Sequence, residues 1–331
     1  MAEIRQDPLS GRKAIIADER SDRPGAGLEP PPAGRELDPA SDPFLEGHED
    51  RTPPELDALR PDGSAPGGPG WLVRVVPNLY PAFDEQAADP PREARIDLFA
   101  ARAARGRHEV IVNAPGPLAS LGDLTQAQLE HAMAMWRRRI GHHAEHGAAC
   151  VHLFVNDGRA AGASLPHTHA QLVALDQVPP HVARERERFG AYATDTMGGN
   201  LLGDLVREEV RLDQRVVAID DEAVLLTPYA SPSPYALLLA PRRPAMRFED
   251  GGPLCAAMLA RALALLRARF GDLPALNLWL RTAPRGADHY CWRIDLAPRL
   301  GRPAGLELGT GLDLNPVSPE RAARELRAAG A

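Results

Sequence analysis

Cysteine is scarce, at three residues in a chain of 331. Cys150, Cys255 and Cys291 are scattered and form no pairing pattern. That excludes a disulfide framework and a Cys-x-x-Cys metal site, and it suits a reducing compartment. Long apolar runs are missing too. The longest apolar helix candidate, 254–270, is interrupted by Arg261, Arg267 and Arg269, so no membrane span is predicted. The start, Met1-Ala2-Glu3-Ile4-Arg5, lacks the apolar stretch of a secretory signal, and a cytoplasmic protein is expected. Basic charge is not in excess: the net charge is −7 with both signs interspersed, so no nucleic-acid surface is expected. A small anionic substrate would have to be met by local positive charge or by backbone donors. The length fits about two domains, or one built of two similar halves.

The chemistry is concentrated in one stretch, 156–173. From His167 onward it reads as a strand of period two, so His167, His169 and Gln171 share a face while Thr168, Ala170 and Leu172 take the other. The preceding Gly158-Arg159-Ala160-Ala161-Gly162-Ala163-Ser164 is the kind of loop that brings backbone N–H groups close to an anion. A donor-rich loop followed by a strand that aims two imidazoles points to chemistry on a phosphate. A His-x-His pair can also be half of a metal site, but the next candidate ligands, His181 and Glu185, lie beyond Pro179-Pro180.

Strands are predicted at 13–17, 71–76, 108–113, 150–155, 215–219, 223–226, 235–239, 277–281 and 292–296. Residues 24–70, rich in Pro and Gly, read as irregular loop. Thr125-x-x-Gln128 is a capping box that opens a helix with Leu129, Met133, Trp136 and Ile140 on one apolar face. His142, His143 and His146, at the end of that helix, are expected to be solvated or to cap it. Further helices are predicted at 182–192, 201–210 and 254–270, and Ser318-Pro319 opens a last one. The second half repeats the order of the first, with 290–296 in the place of 166–172. The expectation is an α+β fold of two tandem modules, 1–195 and 196–331, each an antiparallel sheet with helices, only the first of which carries the histidines.

The pattern Asn156-x-Gly158-x-x-x-Gly162-x-Ser164-x-Pro166-His167-x-His169-x-Gln171 resembles the active-site segment of the galactose-1-phosphate uridylyltransferase family, a transferase branch of the histidine triad superfamily. The resemblance covers nearly the whole chain, and it implies histidine-triad-like modules. It places Arg20 and Arg23 near the diphosphate of a nucleotide sugar, where guanidinium forks suit phosphate oxygens. It makes Asn78 a base- and ribose-side contact, and it gives Arg302 and Glu307 to sugar-phosphate binding in the second half. Family members often hold a structural zinc through Cys-Pro-Phe-Cys, a further histidine and the counterpart of His167. Here the first two ligands are Asp42 and Leu45 and the third falls near Pro117, so no zinc is expected. At a second metal site of the family, Arg281, Cys291 and Arg293 replace histidines and only Glu185 remains, so that metal is expected to be absent as well.

The implied mechanism makes His169 the nucleophile toward the α-phosphorus, with a covalent nucleotidyl-histidine as intermediate. Gln171, Ser164 and the amides of Gly162 and Ala163 would stabilise developing charge, and His167 would orient the site. Glutamine at 171, where hydrolases of the superfamily carry a third histidine, favours transfer over hydrolysis. The main expectation is a uridylyltransferase between UDP-glucose and a hexose 1-phosphate in galactose metabolism. An ADP-sugar or dinucleoside polyphosphate phosphorylase and a non-catalytic nucleotide-binding protein are the alternatives. The partners implied are a nucleotide sugar and a sugar phosphate, without cofactor. Related proteins often dimerise, so a homodimer is compatible with the resemblance.

Overall fold

The computed structural model of the chain describes residues 2–22, 28, 30–89 and 98–330. Strands β1 (Glu3–Gln6) and β2 (Lys13–Ile16) come first, then β3 (Asp57–Leu59), β4 (Val73–Pro77) and β5 (Gly106–Val112). Helix α1 (Gln126–Glu145) precedes β6 (Cys150–Asp157) and β7 (His169–Leu175), which are followed by α2 (Pro180–Asp195) and α3 (Leu201–Leu212). Next come β8 (Val216–Ile219), β9 (Ala223–Leu226), β10 (Leu237–Pro241), α4 (Ala256–Phe270), β11 (Leu276–Arg281) and β12 (Arg293–Pro298). Helix α5 (Gly305–Thr310), β13 (Asp313–Asn315) and α6 (Pro319–Ala329) close the chain.

Ten strands form one antiparallel sheet in the order β3-β4-β5-β7-β6-β11-β12-β10-β9-β8, and β1, β2 and β13 form a small second sheet. Read inward from either edge, the large sheet shows one pattern. Three strands follow each other in sequence, and the fourth and fifth are then exchanged in space, after a long helix. The two sets meet where β6 pairs with β11, Phe154 opposite Trp279 and Asn156 opposite Asn277.

Alternation along the central strands decides which face is covered. Leu153, Val155, Ala170, Leu172, Leu278 and Leu280 are buried under the helices, while His152, Phe154, Asn156, Gln171, Asn277 and Trp279 are only partly buried on the other face. Helix α1 starts at the expected capping box, the Thr125 side chain accepting from the Gln128 amide, and its stripe of Leu129, Met133, Trp136 and Ile140 is fully covered. Trp136 also donates to the buried Asn113 side chain at 3.1 Å. Helix α4 packs its own stripe of Leu259, Leu263 and Leu266 into the same core.

Three expectations need correction. The 24–70 region contains an edge strand, β3, paired with β4 through Asp57 and Val75. Strand β4 begins at Val73, and Trp71 is instead a buried anchor whose indole donates to Glu49 at 2.7 Å. Of the histidines ending α1, His146 does cap, its ring donating to the His142 carbonyl at 2.6 Å. His143 is not solvated. It is buried and lies 2.8 Å from Glu109, a carboxylate also gripped by Arg139. Burial alone would raise the Glu109 pKa, but His143 and Arg139 outweigh it and hold the group down to about 2.

Candidate active site

The sheet's uncovered face carries a cleft of about 730 Å³ over the β6–β11 junction. Its floor is His152, Phe154 and Asn156 from β6 with Asn277 and Trp279 from β11. Its far wall is the 297–307 segment and the β13 region. Among the described residues four guanidinium-bearing side chains line it, Arg12, Arg20, Arg299 and Arg302, against two carboxylates, Glu307 and Asp313. Arg12 Nη2 reaches both carboxylate oxygens of Asp313, at 2.7 and 2.8 Å. The positive balance and the volume suit a phosphorylated ligand of nucleotide size. The structure thus brings Arg20, Asn156, Arg302 and Glu307 into one cavity, although almost 300 residues separate the first from the last. Arg23 lies outside the described residues.

Strand β7 borders this floor, with Gln171 directly opposite Phe154 in the ladder. His169 is its first residue and is 7% exposed. Its Nδ1 is 2.7 Å from the His167 carbonyl oxygen, which can only accept, so Nδ1 carries the proton and Nε2 keeps its lone pair. Burial first, and then the neighbouring His167, push the His169 pKa below its ordinary value, and the neutral ring is favoured. Phe44 packs on it, ring centres 5.3 Å apart, and stands edge-on to His167 at 6.1 Å.

His167 lies just before the strand and is 1% exposed. Its Nε2 faces the Ala114 carbonyl at 2.9 Å, and its Nδ1 is 2.6 Å from Asp42 Oδ2. The carbonyl takes a proton from Nε2, and the Nδ1–Oδ2 contact ties the other side of the ring to Asp42. Asp42, at the position of a zinc ligand in the resemblance, here pairs directly with the histidine, and Leu45 offers no ligand. At the other such position, Glu185 is buried under Arg293, at 3.0 and 3.2 Å, and the Tyr290 hydroxyl, at 2.9 Å. At the first position Leu45 leaves Asp42 and His167 short of a ligand set, and at the second guanidinium groups stand where ligands would be needed, so neither donor set fits a metal. Among the described residues no three His, Cys, Asp or Glu side chains group as a cation site.

The loop before β7 is tied down on several sides. Arg35 pairs with Asp157 at 2.6 Å, the Ala33 carbonyl accepts from the Arg159 amide at 2.6 Å, and Asn277 donates to both Asn156 Oδ1 and the Ala161 carbonyl. Gly158 has φ of +88°, and a Cβ there would stand 2.7 Å from the Ala33 carbonyl oxygen, so only glycine fits. The expectation of free amides at Gly162 and Ala163 is corrected. The Gly162 amide donates to Arg159 O at 2.9 Å and the Ala163 amide to Gly158 O at 3.2 Å, closing a turn of 3-10 helix. Ser164 is exposed at the end of the loop. Asn78 sits on the far side of β5, its Oδ1 accepting from the Tyr80 amide at 2.9 Å.

Several residues of the site went unread in the sequence. His152 and Phe154 continue the alternation that places Asn156 on the open face, and Asn277 and Trp279 do the same in β11, so period two could have found all four. Phe44 and the acceptor role of Asp42 carry no local signal, since their partners are over a hundred residues away.

Fold and site together define an α+β architecture with a buried, pre-oriented histidine on a strand bordering an arginine-lined cleft. A family model described as galactose-1-phosphate uridyl transferase, N-terminal domain, matches residues 2–179, and a model described as a domain of unknown function matches residues 112–329. The chain belongs to the galactose-1-phosphate uridyl transferase family. It is 27% identical to an ADP-glucose phosphorylase of Arabidopsis thaliana, over 98% of this chain and 92% of that one. It is 28% identical to a galactose-1-phosphate uridylyltransferase of Haemophilus influenzae, over 98% and 93%. The crystal structure of the Arabidopsis ADP-glucose phosphorylase with bound ADP-glucose superposes with a TM-score of 0.81, at 26% identity and covering 99% of both chains. These relatives are enzymes of transferase or phosphorylase type. No helix among the described residues is long and apolar enough to cross a membrane.

Proposed function

We propose that this protein is a nucleotidyltransferase that works through a covalent nucleotidyl-histidine on His169. The observation that carries the reading is the fixed tautomer of that ring: Nδ1–H is spent on the His167 carbonyl, and Nε2 is left neutral and nucleophilic. In the first step Nε2 attacks the α-phosphorus of a nucleotide sugar, the P–N bond forms, and the P–O bond to the leaving sugar phosphate breaks. In the second an acceptor phosphate oxygen attacks the same phosphorus and the P–N bond breaks, which restores the histidine. The acceptor is already an anion at neutral pH, so no strong general base is needed. His167 and Asp42 hold the nucleophile in place. Gln171, Asn156 and Ser164 attend the reacting phosphoryl group, Arg20 and Arg23 the diphosphate, Asn78 the nucleoside, and Arg302 and Glu307 the sugar phosphate.

The reading we favour for the donor and acceptor pair is UDP-glucose with a hexose 1-phosphate, in galactose metabolism, in line with the matched family. An adenylyl donor with phosphate as acceptor is the second reading, supported by the likeness to the Arabidopsis ADP-glucose phosphorylase over the full length of both chains. We further infer two tandem histidine-triad-like modules, 1–195 and 196–331, from the strand order that recurs on either side of the β6–β11 pair. The proposed enzyme uses no metal, because ion pairs occupy both positions where the family carries one, and its three separate buried thiols fit the cytoplasm.

The test is intact mass after brief exposure to UDP-glucose or ADP-glucose, beside a His169→Ala control. A gain of one UMP or one AMP on the wild type alone is expected, and it names the base. No adduct with either donor would overturn the transferase reading.

A further inference from the structure

Gln171 has a neighbour whose protonation is dictated by the backbone. His108, on β5, stands diagonal to it on the open face, His108 pairing with Val173 and Gln171 with Val110. The Ala82 amide lies 3.2 Å from His108 Nδ1. A backbone N–H can only donate, so Nδ1 is the acceptor and the ring proton sits on Nε2. Nε2 is in turn 3.0 Å from Gln171 Oε1 and donates to it. The Asn78 amide nitrogen, 3.2 Å from the same Nε2, meets an N–H and adds no hydrogen bond in this tautomer. Burial lowers the His108 pKa further from the charged form, in which the added Nδ1–H would face the Ala82 N–H.

The consequence falls on an amide whose two ends are otherwise interchangeable. With Oε1 committed to β5, the Gln171 NH2 must point the other way, toward β6, where Phe154 and Asn156 floor the cleft. We propose that His108 is a positioning residue that selects the donor face of Gln171 for the reacting phosphoryl group, a role that rests on the transfer reaction inferred above. Without it the amide is free to turn, and half of its orientations would present an oxygen to a developing anion.

The experiment follows the first half-reaction, formation of the nucleotidyl adduct from UDP-glucose or ADP-glucose, by quenched-flow mass measurement, with donor Kd measured separately. His108→Phe is expected to slow adduct formation by between about twofold, the statistical loss for an amide free to turn, and the roughly hundredfold lost when such a donor is removed outright, at unchanged Kd. His108→Gln, whose amide can reach the old Nε2 position and still donate, should recover most of the rate. In a Gln171→Ala background, His108→Phe should cost nothing further. An undiminished rate in His108→Phe, no recovery with His108→Gln, or full additivity with Gln171→Ala would each overturn the assignment. Absence of adduct in the wild type itself would instead refute the transfer reaction, so the two failures are distinct.

Discussion

Substituting Glu185→Gln tests how the buried ion cluster between α2 and β12 is held. The carboxylate side chain is 4% exposed and receives both Arg293 and the Tyr290 hydroxyl, while Arg281 stands 3.8 Å away. Burial alone would raise the Glu185 pKa, but Arg293 and Arg281 outweigh it, and the net effect is a lowered value. Glutamine keeps the shape and removes the charge, leaving two guanidinium groups short of an anion. Breaking a buried pair by losing one partner costs about 3–5 kcal/mol, and the lower end applies because Asp295 still faces Arg293 at 3.1 Å. At about 2 °C per kcal/mol for a chain of this size, the melting temperature should fall by roughly 6 °C. Differential scanning calorimetry reads this directly, and adding Arg293→Met to the Glu185→Gln variant should cost less than in the wild type. A fall below about 2 °C would mean that the cluster gains nothing from charge pairing. A comparable fall in the wild type on adding a chelator would mean that a metal, not guanidinium, holds Glu185.

Four other outcomes are expected. His152, in the cleft, has its pKa lowered from 6.5 to about 4, first by burial and then by Arg281, so the unfolded chain takes up the proton first. Stability should therefore fall as pH drops below 6.5, by up to about 2 kcal/mol at pH 5 from this ring, and denaturant unfolding of His152→Phe should show a shallower dependence between pH 7.5 and 5. Glu109 adds stability that is present above its ordinary value of 4.5 and lost toward about 2. Trp136→Phe should cost about 2–4 kcal/mol in urea unfolding, since it strands the buried Asn113 oxygen and leaves unfilled volume. Gly158→Ala, which forces a Cβ against the Ala33 carbonyl at positive φ, should lose at least about 1–2 kcal/mol and slow adduct formation, and an unchanged melt would refute the strain argument.

The strands and helices that place the site were legible because period two and the 3.6-residue stripe survive in β6, β7, β11 and α1. The same alternation showed that His169 and Gln171 share a face. Pairings between distant segments were not legible. Asp42 meets His167 across 125 residues, and nothing in Asp42-Pro43-Phe44-Leu45 says whether its acid will be solvated, ligate or pair. The loop amides show the opposite limit: a glycine-rich stretch announces close backbone approach, but at Gly162 and Ala163 that approach is to the loop's own carbonyls. His143 misled because a helix C-terminus is usually wet, and only the position of Glu109 on β5 reveals a buried partner.

The seam at β6–β11 also has a consequence for synthesis. Strand β6 ends at Asp157 and its partner begins at Leu276, so roughly 120 residues are made between them, which takes on the order of 6–24 seconds at ribosomal speed. Throughout that interval the nascent first half presents an unpaired edge carrying Leu153 and Val155, a ready template for another chain. Truncation after the first half would make that transient edge permanent, so co-expressed halves, or a chaperone during translation, have a specific surface to protect.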